Sequence, residues 1–212
     1  MYLIKTPLLL KKIYPKNLLW NKSRADKNIF LTFDDGPIPI VTPWVLKTLK
    51  NFNAKATFFC IGENIIKHPK VFEQLKADGH QVGNHTFNHL KGSKTDDKTY
   101  FENYLKCQQI TQTNLFRPPY GRIKRSQIKL IQASNKPENV NQKPTIIMWD
   151  VLSGDFDINH SPEKCLKNIL RHTENGSIVV FHDSIKAWET LEYVLPKALA
   201  YWTTQGYQFK IL

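Results

Sequence analysis

Ile29-Phe30-Leu31-Thr32-Phe33-Asp34-Asp35-Gly36-Pro37 is the stretch whose reading decides the fold. Its apolar run predicts a buried strand over 29–33, and Gly36-Pro37 ends that strand in a turn. Two adjacent carboxylates sit where strand becomes turn. Burying them without partners is strongly unfavourable, so they belong to a cleft where a cation or a substrate meets them.

Outward from this point, strand and helix signals alternate. Helices are expected over 41–52, 69–78, 96–114, 123–133, 162–172 and 188–204, with strands over 56–61, 81–83, 115–116, 145–151, 178–181 and 207–212. Pro43 suits the first turn of the first helix, and Gly79 closes the second. The polar, Pro-bounded stretch 135–144 reads as an exposed loop. Repeated strand-then-helix units imply a mostly parallel sheet covered by helices, and about seven such units favour closure into a barrel. Asp34, Asp35, Asp150, Asp155 and His182 all fall at or just past the carboxyl ends of expected strands, the edge where parallel α/β folds assemble sites.

The 212 residues suit one domain with a full core. A hydrophobic fraction of 41%, with twelve Phe and five Trp, excludes a disordered chain. Apolar runs stop well short of the ~18 residues of a membrane span. Leu8-Leu9-Leu10 is cut off by Lys11 and Lys12, too short for a secretory core, which leads to the expectation of a cytoplasmic protein. Cys60, Cys107 and Cys165 are odd in number and far apart, which argues against a disulfide framework and a thiolate metal site. The net charge of +12 invites an anionic partner, but the lysines are dispersed along helices with no basic run beside aromatics, so no nucleic-acid partner is expected.

Four further segments carry chemistry. His85-Thr86-Phe87-Asn88-His89 spaces two imidazoles four apart, which on a helix puts both rings on one face around one ion. Arg117-Pro118-Pro119-Tyr120-Gly121 is a stiffened loop whose amides can meet an oxyanion and whose Arg can pair with a carboxylate. Asp150-Val151-Leu152-Ser153-Gly154-Asp155-Phe156 has two acids five apart, and Val179-Val180-Phe181-His182-Asp183 ends an apolar strand in a titratable pair. An acidic pair with a His-x-x-x-His pair is the ligand inventory of a hydrolytic metal site.

In this order the five segments resemble the polysaccharide deacetylases of the NodB-homology type, grouped with carbohydrate esterase family 4. The resemblance covers about 28–212 and leaves 1–27 as an N-terminal extension packed on or preceding the domain. It implies a distorted (β/α)7 barrel and metal-assisted removal of acetyl groups from N-acetylated, or O-acetylated, sugars. By position, it implies Asp34 as base, oriented by Arg117. Asp35, His85 and His89 would hold the metal. Zn²⁺ suits that set, and Co²⁺ or Ni²⁺ can replace it. The Tyr120 amide would face the oxyanion, and His182, partnered by Asp155, would be the general acid. Phe156 stands where the family has Trp, and Val180 where it has Leu. The implied partner is an acetylated glycan or oligosaccharide, and a membrane-edge glycan also fits a lone catalytic domain. Two rivals are a related amidohydrolase acting on a non-carbohydrate C–N bond and a non-catalytic glycan-binding relative.

Overall fold

The computed structural model describes residues 3–15, 18–134 and 142–212. The loop expected over 135–144 therefore lies largely outside the described residues. The strands are β1 (Leu18–Leu19), β2 (Asn28–Asp34), β3 (Ala56–Cys60), β4 (Gln81–Asn84), β5 (Leu115–Phe116), β6 (Thr145–Ile147), β7 (Val151–Leu152), β8 (Ile178–His182) and β9 (Gln208–Phe209). The helices are α1 (Leu8–Ile13), α2 (Val41–Asn51), α3 (Gly62–Lys67), α4 (Pro69–Ala77), α5 (Asp97–Thr111), α6 (Arg125–Ala133), α7 (Pro162–His172) and α8 (Trp188–Thr204).

Every ladder between these strands is parallel, in the order β1-β6-β5-β4-β3-β2-β8-β7, with β9 added to the start of β2. β6 and β7 lie near opposite ends of that order, yet only residues 148–150 separate them. So short a link spans at most about 14 Å, and it forces the sheet to curl until its edges nearly meet. The result is the distorted (β/α)7 barrel. The strand expected over 145–151 is thus two strands, split because its halves pair with different neighbours. The expected strand 207–212 shrinks to two residues. The short α1, α3 and β1 went unread because six residues or fewer carry too little periodicity to recognise.

Alternation along β2 sorts its side chains. Ile29, Leu31 and Phe33 join the outer core with Val45, Leu49, Leu195 and Trp202 of α2 and α8. Phe30 instead packs with Phe59, Leu115, Ile147 and Ile178 inside the curl. Thr32 and Asp34 share Phe30's face by the period of two, so the inward face runs from an apolar base to a carboxylate at the strand's end. A second outer cluster lies under α5 and α6, built on Tyr100, Tyr104, Phe116 and Ile131. Helix starts are set locally: Asp96 accepts from the Thr99 N–H at 2.9 Å and Ser161 from the Lys164 N–H at 3.3 Å.

The N-terminal segment fills the gap between the two sheet edges. Lys5 bridges antiparallel to Val151, the Leu152 N–H donates to the Ile4 carbonyl at 2.8 Å, and Met148 N–H to Leu19 at 2.7 Å. Among the described residues no helix is long and apolar enough to cross a membrane.

Asp150 corrects the sequence reading. It does not join the rim where β2 and β8 end; it precedes β7 and bonds Ser177, at the opposite edge, at 2.7 Å. Its side chain is fully buried, and Lys5 and Lys11 each donate to it at 2.8 Å and Arg24 at 2.9 Å. Burial opposes its ionisation, but these donors hold the carboxyl well below the usual carboxylate range. Asp150 is an anchor for the N-terminal segment.

Candidate active site

At the carboxyl rim, β2 and β8 pair in register with Asp34 opposite His182. The chain then turns sharply at Asp35, φ 89°, so that two neighbouring carboxylates take different directions. The turn is held from outside: the Asp35 carbonyl accepts from Asn64 Nδ2 at 2.8 Å, and the Gly36 N–H donates to Asp183 Oδ1 at 3.0 Å. Gly36 has no alternative there, because a Cβ would lie 1.9 Å from the Asp183 carboxylate. Thr42 also donates to Asp183 at 2.6 Å. Asn64 and Asp183 were not singled out for this role in sequence, since their contribution depends on a turn whose shape no residue type announces.

Arg117 is fully buried and spends its donors locally. Nη1 bonds Asp34 Oδ1 and Thr32 Oγ1, both at 2.7 Å, and Nη2 bonds the Met148 carbonyl at 3.1 Å. The guanidinium also lies 4.1 Å from the Phe59 ring centre. Asp34 is thereby fixed in one orientation.

His85 and His89 come together, but not on a helix. They lie in the loop after β4, with Thr86 at φ 64° and His89 at φ 58°. Asn103 of α5 holds the loop, its Oδ1 accepting from the Phe87 and Asn88 N–H groups at 2.8 and 3.1 Å. His85 Nδ1 donates to the Arg117 carbonyl at 2.8 Å, which directs the lone pair of Nε2 towards Asp35. Burial pushes the His85 pKa down to about 4, so the ring is neutral, the form that ligates.

Asp35 Oδ1 lies 3.9 Å from His85 Nε2 and 3.2 Å from His89 Nε2. It is buried and makes no hydrogen bond. Burial opposes its charge, but the neighbouring imidazoles, His89 foremost, hold the carboxyl well below the usual range. Among the described residues these three are the only group whose ligand atoms converge in this way, within 4.8 Å of one another. Ligands around a tetrahedral Zn²⁺ sit roughly 3.3 Å apart given bonds of about 2.0–2.1 Å. An orphaned carboxylate oxygen facing two imidazole nitrogens is what a cation site requires, and the donor set fits a divalent metal with positions left for water and substrate.

Across the cleft, Asp155 accepts from His182 twice, at Nδ1 and at the backbone N–H, both at 2.8 Å. Burial disfavours the imidazolium, yet the Asp155 carboxylate more than offsets it and pushes the His182 pKa up to about 9. Phe156 stands edge-on to the His182 ring, centroids 5.0 Å apart. Tyr120 sits in a tight turn at φ 60°, where the Gly121 and Arg122 N–H groups bond Pro118 and Pro119 carbonyls, and its ring lies 4.6 Å from that of His89. One cleft of about 660 Å³ is bordered by Asp34, Asp35, His85, His89, Tyr120 and His182 together. Arg117 and Asp155 are buried behind this lining, bonded to Asp34 and His182, while Asp150 stands apart.

A family model described as polysaccharide deacetylase matches residues 21–136, more than half of the chain. The chain belongs to the polysaccharide deacetylase family. A Bacillus cereus peptidoglycan-N-acetylglucosamine deacetylase is 32% identical over 95% of this chain and 94% of its own length. The Listeria monocytogenes deacetylase PgdA is 35% identical over 89% of this chain, which spans only 38% of that protein. An Azorhizobium caulinodans chitooligosaccharide deacetylase is 32% identical over 87% of this chain and 82% of its own. In three dimensions, the chain superimposes on a peptidoglycan N-acetylglucosamine deacetylase in complex with 4-naphthalen-1-yl-N-oxidanyl-benzamide. The TM-score is 0.84 at 29% identity, over 98% of this chain and 95% of that one. These likenesses make the chain a carbohydrate deacetylase.

Proposed function

We propose that this deacetylase is a metal-dependent amidohydrolase acting on N-acetylglucosamine residues of a glycan, with peptidoglycan or chito-oligosaccharide strands as the substrate class. What carries the reading is the facing arrangement of the Asp35–His85–His89 triad and the His182–Asp155 pair across one cleft. The named relatives support the sugar.

Asp35, His85 and His89 would hold a divalent cation, which would supply Lewis acidity towards the acetamide carbonyl and the attacking water. Asp34, adjacent to the triad and held through Oδ1 by Arg117, takes the proton from that water. The Tyr120 backbone N–H, outside the two turn bonds, donates to the carbonyl oxygen as negative charge builds there. His182, charged through Asp155 and donating from Nε2, protonates the departing sugar amine. Nδ1 stays bonded to Asp155 throughout, so the ring is oriented before and after transfer.

The test is acetate release from matched N- and O-acetylated glycans by the zinc-loaded protein. Release from N-acetylglucosamine oligomers and peptidoglycan strands is expected. Release confined to O-acetylated xylan would overturn the amide assignment, and none from any glycan would return the rival of a non-carbohydrate amide.

A further inference from the structure

The cleft is bordered on one side by the N-terminal segment. Leu3, Leu10 and Tyr14, all ahead of residue 21, border the same space as the metal triad and His182. Trp149 continues this wall and packs on Gly121, where an added Cβ would meet its ring at 2.4 Å. The floor follows from strand geometry. Val180 lies two residues before His182 on β8, hence on the same face and about 7 Å below it. Leu152 is the register partner of Val180 and shares that face. Apolar side chains therefore border the cleft from beneath the reacting centre across to the N-terminal segment.

We propose that this wall is an acyl subsite, and that the enzyme hydrolyses N-acyl sugars whose acyl chain is longer than acetyl. The proposal rests on the amidohydrolase reading above. The reaction is unchanged in its balance: the amide C–N bond breaks, water gives its hydroxyl to the acyl carbon and its proton to the amine, and a longer carboxylic acid leaves. An alkyl chain is the occupant that suits the leucine-lined part of the cleft, since Leu3 and Leu10 offer it apolar contact area above the buried Leu152 and Val180. The wall is rigidly placed, because Lys5 and Lys11 of the same segment are tied to the buried Asp150 and the Thr6 hydroxyl donates to the Trp149 carbonyl at 2.8 Å.

Two measurements on the full chain decide this. First, kcat/KM is compared for N-acetyl and N-butyryl chito-oligosaccharides, with the zinc-loaded wild type and Leu10→Trp. Butyrate release by wild type is expected, with the butyryl-to-acetyl ratio falling at least tenfold in the variant. Second, the affinity of straight-chain hydroxamic acids is measured by calorimetry on the zinc-loaded wild type, a readout that needs neither turnover nor a variant. Affinity should rise by up to about fourfold per methylene from the two-carbon to the six-carbon compound. Acetate release without butyrate release, or an affinity flat with chain length, would overturn the acyl subsite while leaving deacetylation intact. Release of neither acid would sink the amidohydrolase reading and this one with it.

Discussion

Asp155 grips His182 at two points, one carboxylate oxygen on Nδ1 and the other on the backbone N–H, each at 2.8 Å. A single carboxylate thus sets both the rotation of the ring and its charge. The pKa it maintains, about 9, keeps a proton on the imidazole through neutral pH.

For a general acid, activity is present below that pKa and is lost as pH rises through it. In Asp155→Asn the amide still accepts a hydrogen bond but no longer stabilises the cation, so the His182 pKa falls. The alkaline limb of kcat/KM against pH should move to lower pH. A limb that stays in place would make Asp155 a loop-holding residue only. His182→Ala should slow hydrolysis by roughly 10²–10⁴-fold with metal affinity kept.

Asp34 and Asp35 are neighbours with opposite surroundings, one bonded to Arg117 and the other facing two imidazoles. Asp34→Asn should retain metal and lose turnover, because an amide cannot take the proton from water. Asp35→Asn should weaken metal binding itself. Metal titration beside steady-state rates separates the two, and identical behaviour of the variants would refute the division of roles.

His89→Ala should lower zinc content well below the one equivalent expected for wild type, since only two ligands remain. Elemental analysis after dialysis against a weak chelator reads this directly. Equal occupancy in both proteins would remove His89 from the ligand set.

Asp150→Asn should destabilise the fold by about 3 kcal/mol, the low end for breaking a buried pair, because Lys5, Lys11 and Arg24 reach partly into water. The Asp150 carboxyl is held below its usual range in the folded state, so its contribution is present above the unfolded carboxylate pKa of about 3.9. It is lost as pH falls through the depressed folded value. The difference in urea midpoint between wild type and variant should be full at pH 7, only begin to narrow near pH 3, and close below the depressed folded value. A gap independent of pH would assign the effect to packing instead.

Much of the architecture was legible locally. Unbroken apolar runs marked β2, β3 and β8, and the helices α2, α4, α5, α6, α7 and α8 followed from their spacing and end signals. The shape of the histidine loop was not legible, because it depends on left-handed backbone at Thr86 and His89, residues that give no local sign of it. Asp150 was misplaced for another reason: its partners Lys5, Lys11 and Arg24 come from more than 120 residues away.

By itself, the sequence determined the chemical inventory and its order: an acidic pair after one strand, two imidazoles after another, an Arg loop, and a His after the last long apolar strand. Those are properties of short windows, where hydrophobic period and turn chemistry act. The pairing of Asp34 with Arg117 and of Asp35 with the imidazoles was implied by the family resemblance and is seen as contacts in the fold. Only the tertiary structure decided that Asp150 anchors the N-terminus at the far edge. It also decided that residues ahead of β2 wall the cleft. Such choices follow from the curl of the sheet and from which edges it brings together, and long-range pairings of that kind leave no periodic trace along the chain.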